Sequence, residues 1–343
     1  MKTKLTLSIL IPAYNEEKTI KSCVESCLNQ SERPDEVIII NDGSKDRTLE
    51  ILKSFKNKIK VIDLNKNTGN KSKAQEIGLK YVKTDIFITT DADTELDVDF
   101  VRYMRKAFIK NPDCTAVCGY VESKESNWIT KVREINYSIG QNLYKRAQSY
   151  LGAMYVLIGC GSAFRTKDFK ETVTFDHDNI TEDLDFTYKL KLANKKIVLE
   201  EKAIVYTQDP NNLRSYFHQL YRWHSGGWYC LKKNIRIFKK PNNALILSLI
   251  YLEGLIMGAV LVFAPLIIFF NASYYLIYVC LGLVITTVSS SYGIFRFKRY
   301  NLFFYIPHQY ILGSIEQLIF LHTFFKEFVF KNKNLIWYKP DRY

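Results

Sequence analysis

Two neighbouring carboxylates follow the apolar segment Ile86–Thr90 and could handle a phosphorylated substrate. Asp91 and Asp93 lie two residues apart on a predicted turn. Such a pair can hold one divalent cation, or one cation and one ribose. The cation would bridge diphosphate oxygens and stabilise a departing nucleoside diphosphate. Acidic pairs are also common in exposed turns, so this pair alone fits a solvated turn equally well.

A second acidic pair, Glu182-Asp183, opens a predicted helix after Thr181. Acidic side chains at a helix N-terminus are commonly there only because they interact favourably with the helix dipole. The alternative is catalytic. Transfer of a sugar with inversion needs one carboxylate that accepts the proton of the incoming hydroxyl while the diphosphate leaves from the opposite face. Asp183 is the candidate for that base.

A third group lies on a predicted helix ahead of a long apolar segment. Gln219, Arg222 and Trp223 are spaced i, i+3 and i+4, so they share one helix face. Arginine can bind a diphosphate and an indole can stack on a sugar. The alternative is a membrane-interface helix with a snorkelling arginine and an interfacial tryptophan.

The elements that must position these groups alternate between strand and helix. Strands are predicted at Leu5–Ile11, Val37–Ile40, 59–64 and Ile86–Thr89, and helices at Glu16–Ser31, 47–55, 72–83 and Glu182–Ala193, the last capped by Thr181. This order predicts an α/β fold with a mostly parallel, nucleotide-binding sheet. Polar loops follow the first two strands, at Pro12–Glu16 and Asn41–Ser44. Together with the turn at Asp91 they make three polar loops on one rim of the sheet. Taken alone, Asn41–Ser44 also fits a turn with a helix cap.

Beyond this domain the sequence becomes strongly apolar. Ala244–Phe270 and Tyr274–Phe295 are each long enough to span a bilayer, with a turn predicted at Asn271–Ser273. Glu253 is costly in hydrocarbon and is expected to face protein or a polar passage. The segment 302–330 fits a third span or an interfacial helix, and two spans are favoured because basic residues flank all these segments. A helix over 127–147 fits either a core helix or one on the bilayer surface.

The formal charge of +13 permits nucleic acid, anionic lipid or phosphorylated small molecules as partners. No nucleic-acid-binding signature accompanies it, so nucleic acid is not expected. Seven scattered cysteines lack zinc-site spacing, and their odd number suits reduced thiols on the cytosolic side. The first residues run directly into a strand, so no signal peptide is expected before the fold.

Together these motifs resemble the family-2 glycosyltransferases of GT-A fold. More narrowly, they resemble the processive membrane synthases of cellulose, hyaluronan and poly-N-acetylglucosamine. The motifs occur in order as Ile11–Glu16, Asn41–Ser44, Asp91-Ala92-Asp93, Thr181-Glu182-Asp183 and Gln219-x-x-Arg222-Trp223. The resemblance implies a catalytic domain over 1–240, with an interface helix region over 213–240. The apolar composition and the flanking basic residues predict a membrane region over 244–330 and a basic cytoplasmic tail over 331–343.

The resemblance also implies a role for each matching residue. Nucleotide-sugar contacts are assigned to Pro12, Ala13, Tyr14, Glu16, Asp42, Lys71, Asp91 and Ala92. Asp93 would bind Mg²⁺ or Mn²⁺, and Asp183 would be the base. Diphosphate and acceptor contacts are assigned to Gly161, Ser162, Glu182, Gln219, Arg222 and Trp223.

Two residues depart from the family pattern. Glu76 stands where asparagine is usual, and Asn70 replaces a glycine, so contacts to the donor could differ near Lys71. Few membrane helices are predicted, so the product could be a short glycolipid, or a partner subunit or second copy could complete a polymer channel. The expected activity is β-transfer from UDP-glucose or UDP-N-acetylglucosamine to a saccharide or lipid-linked acceptor. The alternatives are single-sugar transfer to a lipid, and an inactive membrane scaffold for a synthase.

Overall fold

A computed structural model describes residues 5–124 and 126–330 of the chain. The described residues form two compact units. The first comprises residues 5–122 and 149–208, and the second comprises residues 123–124, 126–148 and 209–330. The predicted basic tail at 331–343 lies outside the described residues.

The first unit is built on one mixed sheet. Its strands are β1 (Leu7–Ala13), β2 (Glu36–Asn41), β3 (Lys60–Asp63), β4 (Ile86–Thr89), β5 (Thr94–Leu96), β6 (Cys114–Ser123), β7 (Ser162–Arg165) and β8 (Lys196–Thr207). Their order across the sheet is β3-β2-β1-β4-β7-β6-β8-β5. The pairings of β1 with β2 and β4, and of β2 with β3, are parallel, as the alternating sequence predicts. β7 pairs antiparallel with both β4 and β6.

The helices begin and end as follows: α1 (Ile20–Leu28), α2 (Thr48–Ser54), α3 (Lys71–Leu79), α4 (Phe100–Lys110), α5 (Trp128–Ile139), α6 (Arg146–Tyr150), α7 (Thr166–Thr172), α8 (Glu182–Leu192), α9 (Leu213–Lys233), α10 (Pro241–Val262), α11 (Ala264–Phe297) and α12 (Ile306–Phe328). Helix α1 begins at Ile20, later than the predicted Glu16, and residues 17–19 form a turn before it. Thr181 precedes α8 as predicted, but its side chain does not cap the helix. Its hydroxyl donates instead to Asn179 Oδ1.

The core of the first unit lies between the sheet and its helices. Leu10, Ile38 and Ile40 of the parallel strands pack with Phe186 and Leu190 of α8 in one buried cluster. Because α3 and α8 are both fixed on the sheet by this cluster, their N-termini are held rigidly. Those N-termini carry Lys71 and the Glu182-Asp183 pair.

The second unit settles the role of the helix predicted over 127–147. Ile129 and Val132 of α5 are buried with Tyr216 and Leu220 of α9 and Leu312 of α12. Further along α5, a second buried cluster joins its remaining apolar face to α11 and α12. Of the two alternatives, α5 is therefore a core helix of this unit. It is also shorter than predicted, since a π-helical stretch replaces it over Gly140–Lys145.

Two helices of the second unit are long and apolar enough to span a membrane, α10 and α11. The sequence predicts a break in the apolar segment at Asn271–Ser273, and the structure confirms it. Asn271 is non-helical, with φ −164° and ψ 101°, and its Oδ1 accepts a hydrogen bond from the Ser273 N–H at 2.9 Å, so two helices meet within α11. A second break, at Phe263, ends α10 two residues before Pro265, and the apolar pattern does not predict it.

Of the two alternatives for Glu253, burial against protein is not seen, because its side chain is exposed in the described chain. That it faces a polar passage stays a prediction. The face of α10 that packs against protein carries Gly254 and Gly258. A Cβ atom added at Gly254 would lie 2.5 Å from Phe320, and one at Gly258 would lie 2.8 Å from the Gln317 carbonyl oxygen, so α12 occupies that face.

Candidate active site

The loops after β1 and β2 are bonded to each other at the carboxyl edge of the parallel strands. The Asn15 N–H donates to Ser44 Oγ at 3.0 Å, and the Lys45 N–H donates to Asn15 Oδ1 at 2.8 Å. The Glu16 N–H donates to Thr48 Oγ1 at 2.8 Å. The two predicted polar loops are therefore neighbours in the fold.

Asp42 connects this edge to the loop that leads into α3. It is 5% exposed, and its Oδ1 and Oδ2 accept hydrogen bonds from the N–H and hydroxyl of Thr68, each at 2.8 Å. Asn67 Nδ2 donates to the Asp42 backbone oxygen at 3.2 Å. The prediction that Asp42 contacts uridine stays a prediction. In the described contacts this carboxylate orders the loop that places Lys71.

Lys71 joins two of the acidic motifs. Its Nζ lies 2.6 Å from Asp91 Oδ1 and 2.6 Å from Glu182 Oε1, with 28% of the lysine side chain exposed. Burial disfavours the ammonium, but the carboxylates of Asp91 and Glu182 outweigh it and raise the pKa of Lys71 well above its usual value. Lys71 is therefore a fixed positive charge between the two acidic turns.

Asp183 also lies beside Lys71, next to Gly159. A Cβ atom built on Gly159 would be 3.4 Å from Asp183 Oδ2 and 3.6 Å from Lys71 Nζ, so both groups face that glycine. The neighbouring Cys160 is close to the same charges. Burial, together with the carboxylates of Asp91 and Asp93, raises the pKa of its thiol well above the usual value.

A small cavity lies against Asp183. Gln75, Thr89, Leu157, Ile158, Gly159, Phe164, Glu182, Asp183 and Phe186 line it. Gln75 is 2% exposed, and its Oε1 has no hydrogen-bond partner among the described residues. Sequence reasoning missed both Gln75 and Gly159. Neither residue belongs to a charged motif. The chain path that brings residues 157–159 beside α3 and α8 cannot be predicted from the spacing of residues along the sequence.

The two departures from the family pattern contact the same segment ahead of α8. Asn70 caps α3 through its Oδ1, which accepts from the Ser72 N–H, and its Nδ2 donates to the His177 carbonyl oxygen at 2.8 Å. Glu76 Oε2 lies 3.1 Å from His177 Nε2. Both residues therefore tie the helix of Lys71 to the segment that precedes Glu182.

The predicted acceptor loop at Gly161-Ser162 has packing contacts. Ser162 is 1% exposed and its hydroxyl donates to the Ile158 carbonyl oxygen at 2.8 Å. A Cβ atom at Gly161 would lie 3.0 Å from Val205, so the glycine permits close packing with β8. In this loop it is Gly159 that faces the cavity.

The remaining nucleotide-sugar candidates lie along the same edge. Pro12 and Ala13 end β1, with Ala13 buried, and Ala92 is buried in the turn between Asp91 and Asp93. Tyr14 is half-buried, and Glu16 is 9% exposed with its Oε2 accepting from the Thr19 hydroxyl at 3.2 Å.

The residues of the third motif belong to the second unit. Gln219 and Trp223 both contact Arg133 of α5: its guanidinium donates to Gln219 Oε1 at 3.3 Å and lies 4.5 Å from the centre of the Trp223 ring. Arg222 Nε is buried and makes no hydrogen bond among the described residues. The grouping of Gln219, Arg222 and Trp223 with the acidic motifs of the first unit stays a prediction.

The first unit thus combines the carboxyl edge of its parallel strands with an acidic cluster around one lysine. Residues 8–173 match the sequence model of the family described as Glycosyl transferase family 2. Residues 8–173 therefore form a glycosyltransferase family-2 domain. This confirms the resemblance to family-2 enzymes drawn from the motifs.

Two curated relatives of this family-2 domain share one name. The poly-beta-1,6-N-acetyl-D-glucosamine synthase of Staphylococcus epidermidis is 34% identical over 224 residues, which are 64% of this chain and 54% of that protein. The enzyme of the same name from Staphylococcus aureus (strain COL) is 32% identical over the same shares. The chain therefore spans about half the length of the curated relatives it matches.

A solved structure confirms the fold. The mannosyltransferase from Pyrobaculum calidifontis, in complex with GDP-Man and Mn²⁺, has a TM-score of 0.66 and 15% sequence identity, covering 96% of this chain and 89% of that one. At this identity the likeness shows the fold alone. It supports the predicted α/β architecture of GT-A type for the family-2 domain.

Proposed function

We propose that this chain transfers a sugar from a UDP-sugar to a saccharide or lipid-linked acceptor, with inversion and formation of a β-linkage. The names of the curated relatives favour N-acetylglucosamine as the sugar, with UDP-glucose as the second donor to test. The observation that carries the proposal is the convergence at Lys71: its ammonium contacts Asp91 and Glu182 and lies beside Asp183 around Gly159.

In this proposal Asp183 accepts the proton of the attacking hydroxyl. Its Oδ1 accepts the Leu184 N–H at 2.8 Å in the first turn of α8, which fixes the orientation of the carboxylate. Helix α8 is anchored by Phe186 and Leu190 in the core. Because the carboxylate is already held in one orientation, little conformational entropy is lost when the transition state forms.

Lys71 has an electrostatic role in the proposal. A charged ammonium beside the donor's diphosphate stabilises the negative charge that grows on the leaving group. In the described structure that ammonium is already paired with two carboxylates, so binding of the donor would exchange one ionic contact for another.

The acidic turn fits a divalent cation. Asp91 and Asp93 are hard oxygen donors on one turn, and Asp91 already takes a cationic partner, Lys71. Among the residues that the structure describes, no group of three or more metal-ligating side chains occurs. Mg²⁺ and Mn²⁺ are commonly held by one or two carboxylates plus substrate phosphates, so Asp93 with Asp91 would suffice. When bound, the cation would neutralise diphosphate charge.

The proposal places the reaction at the cytoplasmic face of a membrane. Helices α10 and α11 have the length and composition of spans. Basic residues precede α10, including Lys239 and Lys240, which fits a cytoplasmic location and contact with anionic lipid. Gln219, Arg222 and Trp223, on the preceding helix α9, would hold the diphosphate and the terminal sugar of the acceptor.

A donor screen tests this proposal. Purified full-length chain in detergent, with Mg²⁺ or Mn²⁺, is incubated with labelled UDP-N-acetylglucosamine, UDP-glucose or GDP-mannose, and the product is sized and its anomeric configuration determined. We expect β-linked product from a UDP-sugar. A ladder of lengths would identify a processive synthase, and single additions a glycolipid transferase. No product or hydrolysis with any donor would favour the inactive scaffold.

A further inference from the structure

Arg133 is a buried arginine of α5 at the centre of the second unit. It is 3% exposed. One side of its guanidinium faces α9, where it lies 4.5 Å from the centre of the Trp223 ring and donates to Gln219 Oε1 at 3.3 Å. On another side its Nε lies 3.5 Å from Oδ1 of Asp209, which is 1% exposed. Arg133 thus joins two residues of the α9 motif to one buried carboxylate.

Aromatic rings and a hydrogen bond fix the guanidinium in place. It lies 5.0 Å from the centre of the Tyr137 ring and 5.5 Å from that of Tyr216. The guanidinium donates to the Tyr137 hydroxyl at 3.4 Å, and that hydroxyl donates in turn to Asp209 Oδ1 at 2.8 Å. Burial opposes the charge, but Tyr137 and Asp209 raise the pKa of Arg133 above its usual value, so it stays charged.

The chemistry of arginine explains why this residue type suits the position. A guanidinium stacks on an aromatic face and donates hydrogen bonds in its own plane, so one group can fix both an indole and an amide. A lysine supplies the charge without the planar fork. A buried ion pair is also expensive, and apolar side chains of equal volume would usually pack at lower cost.

We propose that Arg133 is a positioning residue that sets the indole plane of Trp223 and the amide of Gln219 for binding of the acceptor saccharide. This inference rests on the proposed function, and it assigns these two residues to the acceptor and leaves the diphosphate to Arg222. Asp209 and Tyr137 act indirectly, because they contact the Arg133 guanidinium and hold it in position.

The test compares two buried arginines by conservative substitution. Arg133→Lys keeps the charge beside Asp209 and loses the stacked plane. The matched control is Arg105→Lys, since Arg105 is 2% exposed and pairs with Asp35 at 2.7 Å in the first unit. Full-length variants are assayed for transfer to N-acetylglucosamine oligosaccharides of increasing concentration, and for hydrolysis of the donor without acceptor.

We expect Arg133→Lys to lower kcat/KM for the acceptor by about ten- to a hundredfold, the scale of a misplaced binding group. Hydrolysis of the donor should stay within about twofold of wild type on the same argument. Arg105→Lys should change both rates equally or neither. Equal loss of transfer and hydrolysis in Arg133→Lys, or unchanged acceptor kinetics, would overturn the inference. If Arg133→Lys does not fold, Tyr137→Phe is the second variant: it keeps the ring, loses the hydroxyl's bonds to Arg133 and Asp209, and should show the same selective loss in smaller measure.

A second readout is independent of turnover. The emission of Trp223 is isolated by subtracting the fluorescence of Trp223→Phe from that of wild type, and the same subtraction is made in the Arg133→Lys background. A shift of this difference spectrum, and loss of its change on titration with oligosaccharide, supports the positioning role. Identical difference spectra overturn it. If wild type transfers no sugar from any donor, the proposed function fails, and the fluorescence experiment still decides whether Arg133 orients Trp223.

Discussion

The Nζ atom of Lys71 lies 2.6 Å from Oε1 of Glu182, which joins the first turn of α3 to the first turn of α8. The same ammonium lies 2.6 Å from Asp91, so one lysine neutralises carboxylates that follow β4 and open α8. Without it, two acidic groups would face each other at the edge of the sheet. The predictions below begin from this arrangement.

Removal of the Lys71 charge is predicted to alter the pH dependence of stability. A lysine whose pKa is raised on folding contributes stability below its unfolded pKa, about 10.4, and that stability is lost as the pH rises through the folded pKa. Lys71→Met should therefore be less stable than wild type at pH 8, and the difference should shrink at strongly alkaline pH. Thermal unfolding from pH 8 to 11 measures it. Lys195→Met breaks a pair of similar exposure with the single carboxylate of Asp168, whereas Lys71 has two carboxylate partners. It should therefore give a smaller difference at pH 8, and an equal one would contradict the special role of Lys71.

Asp93 is predicted to control metal dependence. Asp93→Asn removes one of two anionic oxygen donors, so we expect the metal concentration for half-maximal transfer to rise by at least about tenfold, a typical cost of weakening a metal ligand set. A titration of Mn²⁺ and Mg²⁺ with the donor held constant measures this. Asp113→Asn, at an exposed pair with Lys196, is the control and should match wild type. An unchanged metal titration in Asp93→Asn would remove Asp93 from the proposed site.

Gly159 is predicted to tolerate one methyl group and no more. Alanine at this position would make ordinary contacts of 3.4 and 3.6 Å with Asp183 and Lys71, so the fold should be retained. Gly159→Leu would fill the space against Asp183, and we expect it to abolish transfer while the unfolding temperature stays close to that of Gly159→Ala. Activity assays alongside thermal unfolding separate the two effects. Full activity in Gly159→Leu would show that substrate does not pass this point.

The packing of α10 on α12 is predicted to depend on Gly254. A Cβ atom there would lie 2.5 Å from the Phe320 ring, and overpacking of this kind costs about 1–3 kcal/mol. Gly254→Leu should lower the unfolding temperature in detergent, and Gly254→Leu with Phe320→Ala should recover part of the loss. Gly313→Leu, where an added Cβ meets nothing within 4 Å, is the matched control on α12. Equal effects at positions 254 and 313 would contradict the described packing.

Much of the first unit could be predicted because its signals are local. The apolar runs of β1, β2 and β4 end at polar loops, and parallel strands bring those ends to one edge. The break at Asn271 could be predicted because polar residues interrupt the apolar run there, whereas the break at Phe263 could not, because the apolar composition continues through it.

The less predictable features depend on contacts between segments far apart in the sequence. Asp42 matches a nucleotide-binding motif, yet its carboxylate holds Thr68 of a loop whose path is set by tertiary packing. Gly159 and Gln75 face the cavity, and nothing in their neighbourhood along the chain marks them. In the sequence Arg133 is one charged residue on a predicted amphipathic helix, and its contact with Trp223 forms only in the folded chain.

The central claim is that Asp183 is the base of an inverting sugar transfer. Its most direct test measures transfer from labelled UDP-N-acetylglucosamine by wild type and Asp183→Asn, with UDP binding by each protein measured in parallel. The account predicts that Asp183→Asn binds UDP as wild type does and loses about 10²–10⁴-fold in transfer rate, the usual contribution of a general base. Transfer by Asp183→Asn at a rate close to wild type, with binding unchanged, would contradict it.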